Sequence, residues 1–256
     1  MSLPRYPGKW SNASVWQAGD LLKALNPEKK ELWPGFKTCV LLYQSAPLQK
    51  LKAESNFSQS SWLGLQFHWL SGSDVAVVTG LGLGAPALAM KVEEMIALGV
   101  DRFVLLGTAG SLSPAVGPGS ILLIDRAIRD EGVSYHYLDP EVPARSCEVL
   151  AKELSKGLDS AGVPYLRGTT WTTDAIYRET HEECDHYASE GVLSVEMEAA
   201  ALFAVAQYRR KSATALVVVS DIVSSAGWQP FLRDVRVKNG LYHALETLMK
   251  VTQTGS

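Results

Sequence analysis

Hydrophobic and polar positions follow two periods along the chain. Short apolar runs, each closed by Gly, Ser or Asp, predict β-strands at TCVLLY, FHWLSGSDVAVVTG, FVLLG, SILLID and ATALVVVSD. Apolar residues at helical spacing predict α-helices at VWQAGDLLKAL, APALAMKVEEMIALG, SCEVLAKELSKGLDSAG and RVKNGLYHALETLMKV, and VLSVEMEAAALFAVAQYRR predicts a strand that leads into a helix. Strands that alternate with helices favour one mostly parallel sheet covered on both faces.

The same pattern predicts a single α/β domain over residues 1–256. No repeat of fixed period and no low-complexity linker divides the chain. Residues 1–35 differ from the rest, because Trp10, Trp16 and Trp33 lie among Pro, Lys and Asn with weak periodicity. We interpret this stretch as an N-terminal adapter or lid segment of the domain.

Composition narrows the classes of partner. The 24 basic and 27 acidic residues give a net charge of −3 without a basic stripe, which disfavours nucleic acid as a partner. No apolar run has the roughly 18 residues of a membrane helix, and the N-terminus lacks a secretion signal, so we expect a cytoplasmic protein without membrane contact. The three cysteines lie far apart, which suits a reducing compartment without structural disulfides.

Two glycine-rich segments follow predicted strands. Residues 80–85 (GLGLGA) fit a relaxed dinucleotide fingerprint, but the next strand does not end in the acid that binds a ribose, so we interpret them as a tight turn near a smaller ligand. Residues 107–111 (GTAGS) predict a loop in which Thr108, Ala109 and Gly110 bind an anion or a sugar hydroxyl. The alternative is an ordinary turn.

Acids occur where the sequence is otherwise apolar. Glu196 and Glu198 flank Met197, and a carboxylate there suits a diol such as ribose, although a helix-start carboxylate is the alternative. Ser220 and Asp221 end a very apolar predicted strand, where a partly desolvated acid can donate a proton, although a helix cap or turn is the alternative.

One cluster has the residue types of a metal site. Residues 181–186 (HEECDH) contain two His and one Cys at helical spacing. No partner pair of Cys or His occurs elsewhere, so a solvated helix face is favoured and no metal is expected.

Taken in order, the segments VAVVTGLGLGAP, LLGTAGSL, RDEGVSYHYL, WTTDAIYRET, SVEMEAA and VVVSD resemble the nucleoside phosphorylase family, from about Val75 to Ile222. That family includes purine nucleoside phosphorylases, uridine phosphorylases and methylthioadenosine nucleosidases. The resemblance implies a three-layer α/β sandwich with a central mixed β-sheet flanked by helices. It also implies a pentosyltransferase that needs phosphate as co-substrate and no other cofactor, and a homo-oligomer, either a dimer or a hexamer.

The resemblance further implies individual roles. Glu198 would bind the ribose hydroxyls, Met197 would pack under the sugar, and Thr108 would contact sugar and phosphate. Asp221 would protonate the imidazole ring of a purine with support from Arg233. The remaining binding positions that it implies are Ala109, Gly110, Ile176, Tyr177, Arg178, Val195, Glu196 and Ser220.

The early part of the chain departs from the family pattern. Phosphorylases of the family have an Arg in an early loop and another two residues before the Gly-Thr motif, where this chain has residues 41–47 (LLYQSAP) and Leu105. Nucleosidases have a Glu in the early loop, whereas the nearest polar residues here are Gln44 and Ser45. Arg178 is therefore a hypothetical phosphate ligand.

Three hypotheses follow. The first is a nucleoside phosphorylase with a preference for purines, since Asp221 is unusual among uridine phosphorylases. The second is a nucleosidase that uses water. The third is a non-catalytic nucleoside-binding protein, which Leu105 and the missing loop Arg motivate.

Overall fold

A computed structural model describes residue 6 and residues 8–25 and 33–253, with the side chains of residues 252 and 253 left out. The predicted strands form, with FHWLSGSDVAVVTG divided into two, and strands that the pattern did not single out join them at Phe57–Trp62, Ala144–Arg145, Tyr165–Thr173 and Gly227–Pro230. The strands in the described residues are β1 (Thr38–Leu42), β2 (Phe57–Trp62), β3 (Leu65–Leu70), β4 (Val75–Thr79), β5 (Arg102–Ser111), β6 (Ile121–Asp130), β7 (Ala144–Arg145), β8 (Tyr165–Thr173), β9 (Ser194–Glu196), β10 (Ser212–Ser224) and β11 (Gly227–Pro230).

The predicted helices also form, among them one that contains the predicted helix face of residues 181–186, and a helix at Ala46–Glu54 that the pattern did not single out joins them. The helices in the described residues are α1 (Ala18–Leu25), α2 (Ala46–Glu54), α3 (Ala85–Ala97), α4 (Glu148–Ser160), α5 (His181–Ser189), α6 (Ala199–Arg209) and α7 (Val235–Gln253). In the same described residues, short 3₁₀ helices lie at Lys9–Ser11, Ser134–His136 and Ile176–Arg178.

The sheet is mixed, as the resemblance implies, rather than mostly parallel. Its path runs β11-β10-β6-β8-β9-β5-β1-β4-β3-β2, and β7 pairs with β6. Strand β10 also pairs with β5, so β5, β10, β6, β8 and β9 close into a ring. Strands β1, β4, β3 and β2 extend from this ring as an open sheet.

Helices cover both faces of the sheet, which makes three layers. In β1, Cys39 and Leu41 face the layer that contains α3 and α6, whereas Val40 and Leu42 face the layer that contains α2, α4 and α7. This alternation follows from the period of two in a strand. It confirms the α/β sandwich.

The described part of the N-terminal segment packs against the helical face of α3. Helix α1 contacts α3, and the side chain of Gln17 accepts a hydrogen bond from Arg209 at the end of α6, at 3.5 Å. Trp33 packs edge-on against Phe36 and Phe67. Residues 1–5, 7 and 26–32 of the predicted adapter lie outside the described residues.

Cys39, Cys147 and Cys184 are free thiols in the structure. Among the described residues, no helix is both long enough and apolar enough to cross a membrane.

Candidate active site

A cavity of about 710 Å³ lies at the carboxyl ends of the parallel strands, where the loops after β1 and β4 meet the distal halves of β5 and β10. Ligands of open α/β sheets bind at this edge. Most of the predicted site residues line the cavity: Thr108, Ala109, Gly110, Ile176, Tyr177, Val195, Glu196, Met197, Glu198, Ser220 and Asp221.

The segment Gly107–Ser111 is a strand and not the loop that the sequence predicts. It continues β5 beside β10 and, at Gly110 and Ser111, beside β9. Small side chains are needed because β10 and β9 approach closely: a Cβ on Gly110 would lie 2.6 Å from Val223 Cγ2. The hydroxyl of Thr108 still faces the cavity.

The predicted strand end at Ser220–Asp221 is also wrong, since β10 continues to Ser224. A register shift between Val219 and Asp221 marks a β-bulge at this point. Bulges re-aim side chains and often occur beside active sites. The bulge places Ser220 and Asp221 on the cavity wall.

Asp221 receives a hydrogen bond on each of its oxygens. The hydroxyl of Ser220 donates to Oδ1 at 2.7 Å, and the indole N–H of Trp228 donates to Oδ2 at 2.9 Å. Trp228 lies on β11, which pairs with the end of β10. These donors fix the orientation of the carboxyl group.

Glu198 is almost fully buried at the start of α6 and accepts a hydrogen bond from Gly84 N at 2.7 Å. Gly84 precedes α3 and has a φ of 86°, as expected for a tight turn that lets the backbone approach closely. Burial raises the pKa of Glu198. The carboxyl group of Glu198 is therefore bonded to the turn before α3 and also lines the cavity.

Glu196 accepts hydrogen bonds from the backbone N–H groups of Glu198 and Ala199, at 2.8 and 2.7 Å, and from the hydroxyl of Thr172. These contacts make it the carboxylate that caps α6, so the helix-start alternative describes Glu196. Burial, followed by the charge of Glu198, raises the pKa of Glu196 above its ordinary value. Glu198 is the acid that remains for a ligand.

The two predicted arginines do not line the cavity. Arg233 lies in an exposed turn before α7, and Arg178 is exposed at the end of a 3₁₀ helix. The resemblance gave Arg233 the role of supporting proton transfer by Asp221, whereas in the structure the indole N–H of Trp228 contacts Asp221. The hairpin of β10 and β11 places Trp228 opposite Val223, beside the acid.

Two cavity residues, Tyr43 and Glu179, had no signal in the sequence. His181 and Cys184 of α5 also lie on the wall, although the sequence favoured a solvated helix face for this segment. Helix α5 is therefore not wholly solvated, because Cys184 is buried. No group of three metal-ligating side chains occurs among the described residues.

Two buried polar atoms on the wall lack a hydrogen-bond partner in the structure: the hydroxyl of Tyr43 and Oε1 of Gln44. The amide nitrogen of Gln44 donates to the Thr108 hydroxyl at 3.0 Å. Burial, followed by Glu198 and Glu196, raises the pKa of Tyr43, so its hydroxyl stays protonated. Buried polar atoms are normally paired, which indicates that a ligand or water pairs them.

The sequence profile of the phosphorylase superfamily matches residues 42–249, which is most of the chain and includes every residue of the cavity wall. The chain belongs to the phosphorylase superfamily.

Named relatives of this phosphorylase-superfamily chain differ in the base they act on. It is 31% identical to a uridine phosphorylase of Thermococcus kodakarensis over 142 residues, which cover 50% of the chain and 51% of the relative. It is 31% identical to a guanosine phosphorylase of Halorubrum lacusprofundi (58% and 61% covered) and 32% identical to a purine nucleoside phosphorylase of Caldanaerobacter subterraneus (56% and 63% covered). The chain thus spans about half to three-fifths of the length of these relatives.

Solved structures of the superfamily share the fold. The uridine phosphorylase of Vibrio fischeri has a TM-score of 0.72 at 22% identity, with 89% of this chain and 95% of that chain covered. A Plasmodium knowlesi homologue of the Plasmodium falciparum PNP has a TM-score of 0.71 at 19% identity, with 85% and 88% covered. The nucleoside phosphorylase-like sandwich is confirmed.

Proposed function

We propose that the chain cleaves the N-glycosidic bond of a purine nucleoside, with phosphate as the attacking co-substrate. The observation that carries the proposal is the presence of two acids with different partners in one cavity: Glu198, buried beside the α3 turn, and Asp221, held by Ser220 and Trp228. The names of the relatives support phosphorolysis, and they leave the base to be tested.

The two acids suit the chemistry. Cleavage of an N-glycosidic bond passes through a sugar with oxocarbenium character and a base that leaves with the bonding electrons. In this proposal Glu198 binds the ribose hydroxyls and stabilises the positive charge on the sugar. Asp221 donates a proton to the imidazole ring of the base and so makes it a better leaving group.

Other wall residues complete the proposed site. Thr108 contacts sugar and phosphate, Met197 packs under the sugar, and Ile176, which is 41% exposed, lies against the base. Tyr177 and Val195 contribute apolar surface. The family needs no further cofactor, and we expect a homo-oligomer in which a neighbouring copy completes the site.

Hydrolysis is the second candidate, and the charge of the wall favours it. Among the described residues, no Lys or Arg lines the cavity, whereas four acids do. A phosphate dianion there lacks the charge-assisted hydrogen bonds that usually hold it. A water molecule, in contrast, matches the unpaired Tyr43 hydroxyl and Gln44 Oε1.

The test is release of free base from inosine, adenosine, uridine and methylthioadenosine, each with and without phosphate, followed by chromatography. Phosphate-dependent release with ribose 1-phosphate as product supports the phosphorylase. Equal release in both conditions replaces it with the nucleosidase. Nucleoside binding without release under either condition replaces both with a binding protein.

Substitution of Asp221 tests its role. Asp221→Asn keeps the shape and loses the acid, so we expect purine release to fall by about 10² to 10⁴-fold. Asp185→Asn, on the exposed side of α5, is the matched control and should keep the activity. Full purine activity in Asp221→Asn would remove the acid from the mechanism.

A further inference from the structure

The hairpin of β10 and β11 carries Trp228 beside the cavity and extends beyond the neighbouring strand β5. The pairing of β10 with β5 ends at Ile222, and β11 lies at the end of the sheet path. Trp228 is 60% exposed, so little packing holds its indole ring. A two-stranded hairpin without further support is only marginally stable in water. The contact between Trp228 and Asp221 therefore depends on what else holds the hairpin in place.

One side chain joins the turn of this hairpin to another element. The turn consists of residues 225–226, and Ser224 pairs with Gly227 on either side of it. Nδ1 of His181, the first residue of α5, lies 2.7 Å from the carbonyl oxygen of Ser225. In the described part of the chain, no other hydrogen bond joins the turn to a different element. His181 therefore makes the polar contact that secures the turn.

The chemistry of this contact determines which nitrogen of the imidazole carries a hydrogen. A carbonyl oxygen only accepts hydrogen bonds, so Nδ1 of His181 must carry a hydrogen and donate it to Ser225. The neutral ring and the imidazolium ion can both donate from Nδ1, whatever the state of Nε2. The contact therefore needs a donor at the position of Nδ1 and does not need a charge.

The first turn of α5 is a well-defined support for this contact. The hydroxyl of Thr180 accepts from Glu183 N at 3.3 Å, and the carboxylate of Glu183 accepts from Thr180 N at 3.0 Å, which makes a capping box. In the same turn, Cys184 belongs to the buried apolar cluster that contains Val223 of β10. Helix α5 thus holds the hairpin at two points, through Val223 and through the carbonyl of Ser225.

Building on the proposed function, we propose that His181 is a positioning residue for Asp221, the acid that protonates the base. The hydrogen bond from His181 to the carbonyl of Ser225 fixes the turn, and the turn sets the place of Trp228 on β11. The indole N–H of Trp228, 2.9 Å from Oδ2, then orients the carboxyl group of Asp221 on the cavity wall. His181 adds no step to the reaction, because it acts through the hairpin and not on the substrate.

The first test measures kcat and KM of His181→Ala with the purine nucleoside that the wild type cleaves best. Loss of the turn contact lets Asp221 move relative to the base, and a misplacement of about 1 Å can cost about 10²-fold, so we expect kcat to fall by about 10 to 10²-fold. KM should change by less than about twofold, because the groups that bind the sugar are untouched. An unchanged kcat, or a rise in KM alone, overturns the proposal.

Two amide variants separate the hydrogen bond of His181 from the bulk of its ring. His181→Asn places an amide N–H close to the position of Nδ1 and should recover most of kcat, whereas His181→Gln places its amide near the position of Nε2 and should stay slow. His186→Ala removes an exposed imidazole from the same helix outside the cavity and should keep the wild-type kcat. A kcat in His181→Asn no higher than in His181→Gln overturns the Nδ1 contact.

A double-mutant cycle tests whether His181 acts through Trp228. Trp228→Phe removes the indole N–H that Asp221 accepts, so adding His181→Ala to Trp228→Phe should lower kcat by less than about twofold further. If His181 only stabilised α5 in general, His181→Ala would lower kcat by the same factor in both backgrounds. The same factor in both backgrounds therefore overturns the proposed path.

Nuclear magnetic resonance of the free protein separates this inference from the proposed reaction, because it requires no turnover. The indole N–H signal of Trp228, assigned by its loss in Trp228→Phe, should shift and exchange faster with solvent in His181→Ala. The signal should return toward its wild-type position in His181→Asn. A signal that His181→Ala leaves unchanged overturns the inference. Absence of base release with this response of the signal intact overturns only the proposed reaction.

Discussion

Glu196 and Glu198 lie two residues apart, and their carboxyl groups have different partners. Glu196 binds the start of α6, whereas Glu198 binds Gly84 and faces the cavity. The sequence placed both acids near a strand end and left open which one a ligand meets. Backbone direction at the junction of β9 and α6 decides this, and it depends on the pairing of β9 with β5 and β8.

At Glu198, replacement by Gln keeps an oxygen for the Gly84 N–H and removes the negative charge. If that charge stabilises the developing cation on the sugar, base release should fall by about 10²-fold while thermal stability changes little. Initial rates and a thermal unfolding scan measure the two effects. Glu141→Gln, on an exposed turn, is the control; equal rates in both variants would contradict the role.

Gly110 is a second residue whose side chain is decisive, because the space around it does not accommodate a Cβ atom. A Cβ there would lie 2.6 Å from Val223 Cγ2 and 3.1 Å from Asp221 Oδ2. Gly110→Ala should lower the free energy of unfolding by about 1–3 kcal/mol through overpacking, and it should lower activity because Asp221 is displaced.

Denaturant unfolding and base release measure these effects. Gly117→Ala is the matched control, since a Cβ at Gly117 meets no atom within 4 Å. Adding Val223→Ala to Gly110→Ala should recover part of the stability. No recovery would contradict the steric explanation.

Among the elements, α6 depends on a cap that another strand supplies. The Thr172 hydroxyl on β8 donates to Glu196 and accepts from Ala200 N at 3.0 Å. The helix itself is almost wholly apolar and buried along its first two turns. The N–H groups at the start of α6 are therefore shielded from water and need hydrogen-bond acceptors within the protein.

The change Thr172→Val keeps the shape of the side chain and leaves the buried Ala200 N–H without its acceptor. We expect the free energy of unfolding to fall by about 1–3 kcal/mol. Urea unfolding measures the loss. Thr169→Val on the same strand is the control, since the Thr169 hydroxyl makes no hydrogen bond within the described part of the chain; an equal loss there would contradict the cap.

The sequence largely predicted which segments form helices and which form strands, but it did not predict where individual strands end. The runs around Val40 and Val77 and the helical face of Leu88 and Val92 are local patterns, and all of them appear in the structure. The extension of β5 through Gly107–Ser111 and of β10 past Asp221 depends on their mutual pairing, which joins residues more than 100 positions apart.

The same limit applies to the candidate site. Residues within the quoted motifs, such as Thr108, Glu198 and Asp221, were found because each follows an apolar run. Trp228 and Glu179 were missed because the hairpin of β10 and β11 and the turn before α5 bring them to the cavity. An acid just before a helix-capping Thr is common in exposed turns, so Glu179 gave no usable signal.

At the scale of the whole molecule, several carboxyl groups bind protons more tightly when the chain is folded. A raised pKa means that the stability from such a group is complete below its unfolded pKa and lost as pH rises through its folded pKa. Burial is the first cause in each case. The groups are Glu131, Glu179, Glu196 and Glu198.

The melting temperature should therefore fall as pH rises from 6.5 to about 8, the window that contains the raised pKa of about 7 at Glu179. Groups with a lowered pKa change the stability outside this pH window. His68 and His136 do so below pH 6.5, and Asp101 and Asp234 do so below pH 3.8.

Thermal unfolding at constant ionic strength measures how the melting temperature changes with pH. For a chain of this length, a loss of about 1 kcal/mol in the free energy of unfolding lowers the melting temperature by about 2–4 °C. Glu179→Gln should flatten the slope near pH 7. A melting temperature that rises across the window would contradict the assignment.

The contact between Trp228 and Asp221 also has an optical consequence. Trp228 is 60% exposed, and of the seven tryptophans only Trp16, at 62%, is comparably accessible. An indole that is exposed to solvent emits at long wavelength, and the emission of Trp228 should change when a ligand occupies the cavity that it lines. The natural chain thus carries its own fluorescent reporter at the site, and Trp16→Phe would leave Trp228 as the dominant solvent-exposed emitter.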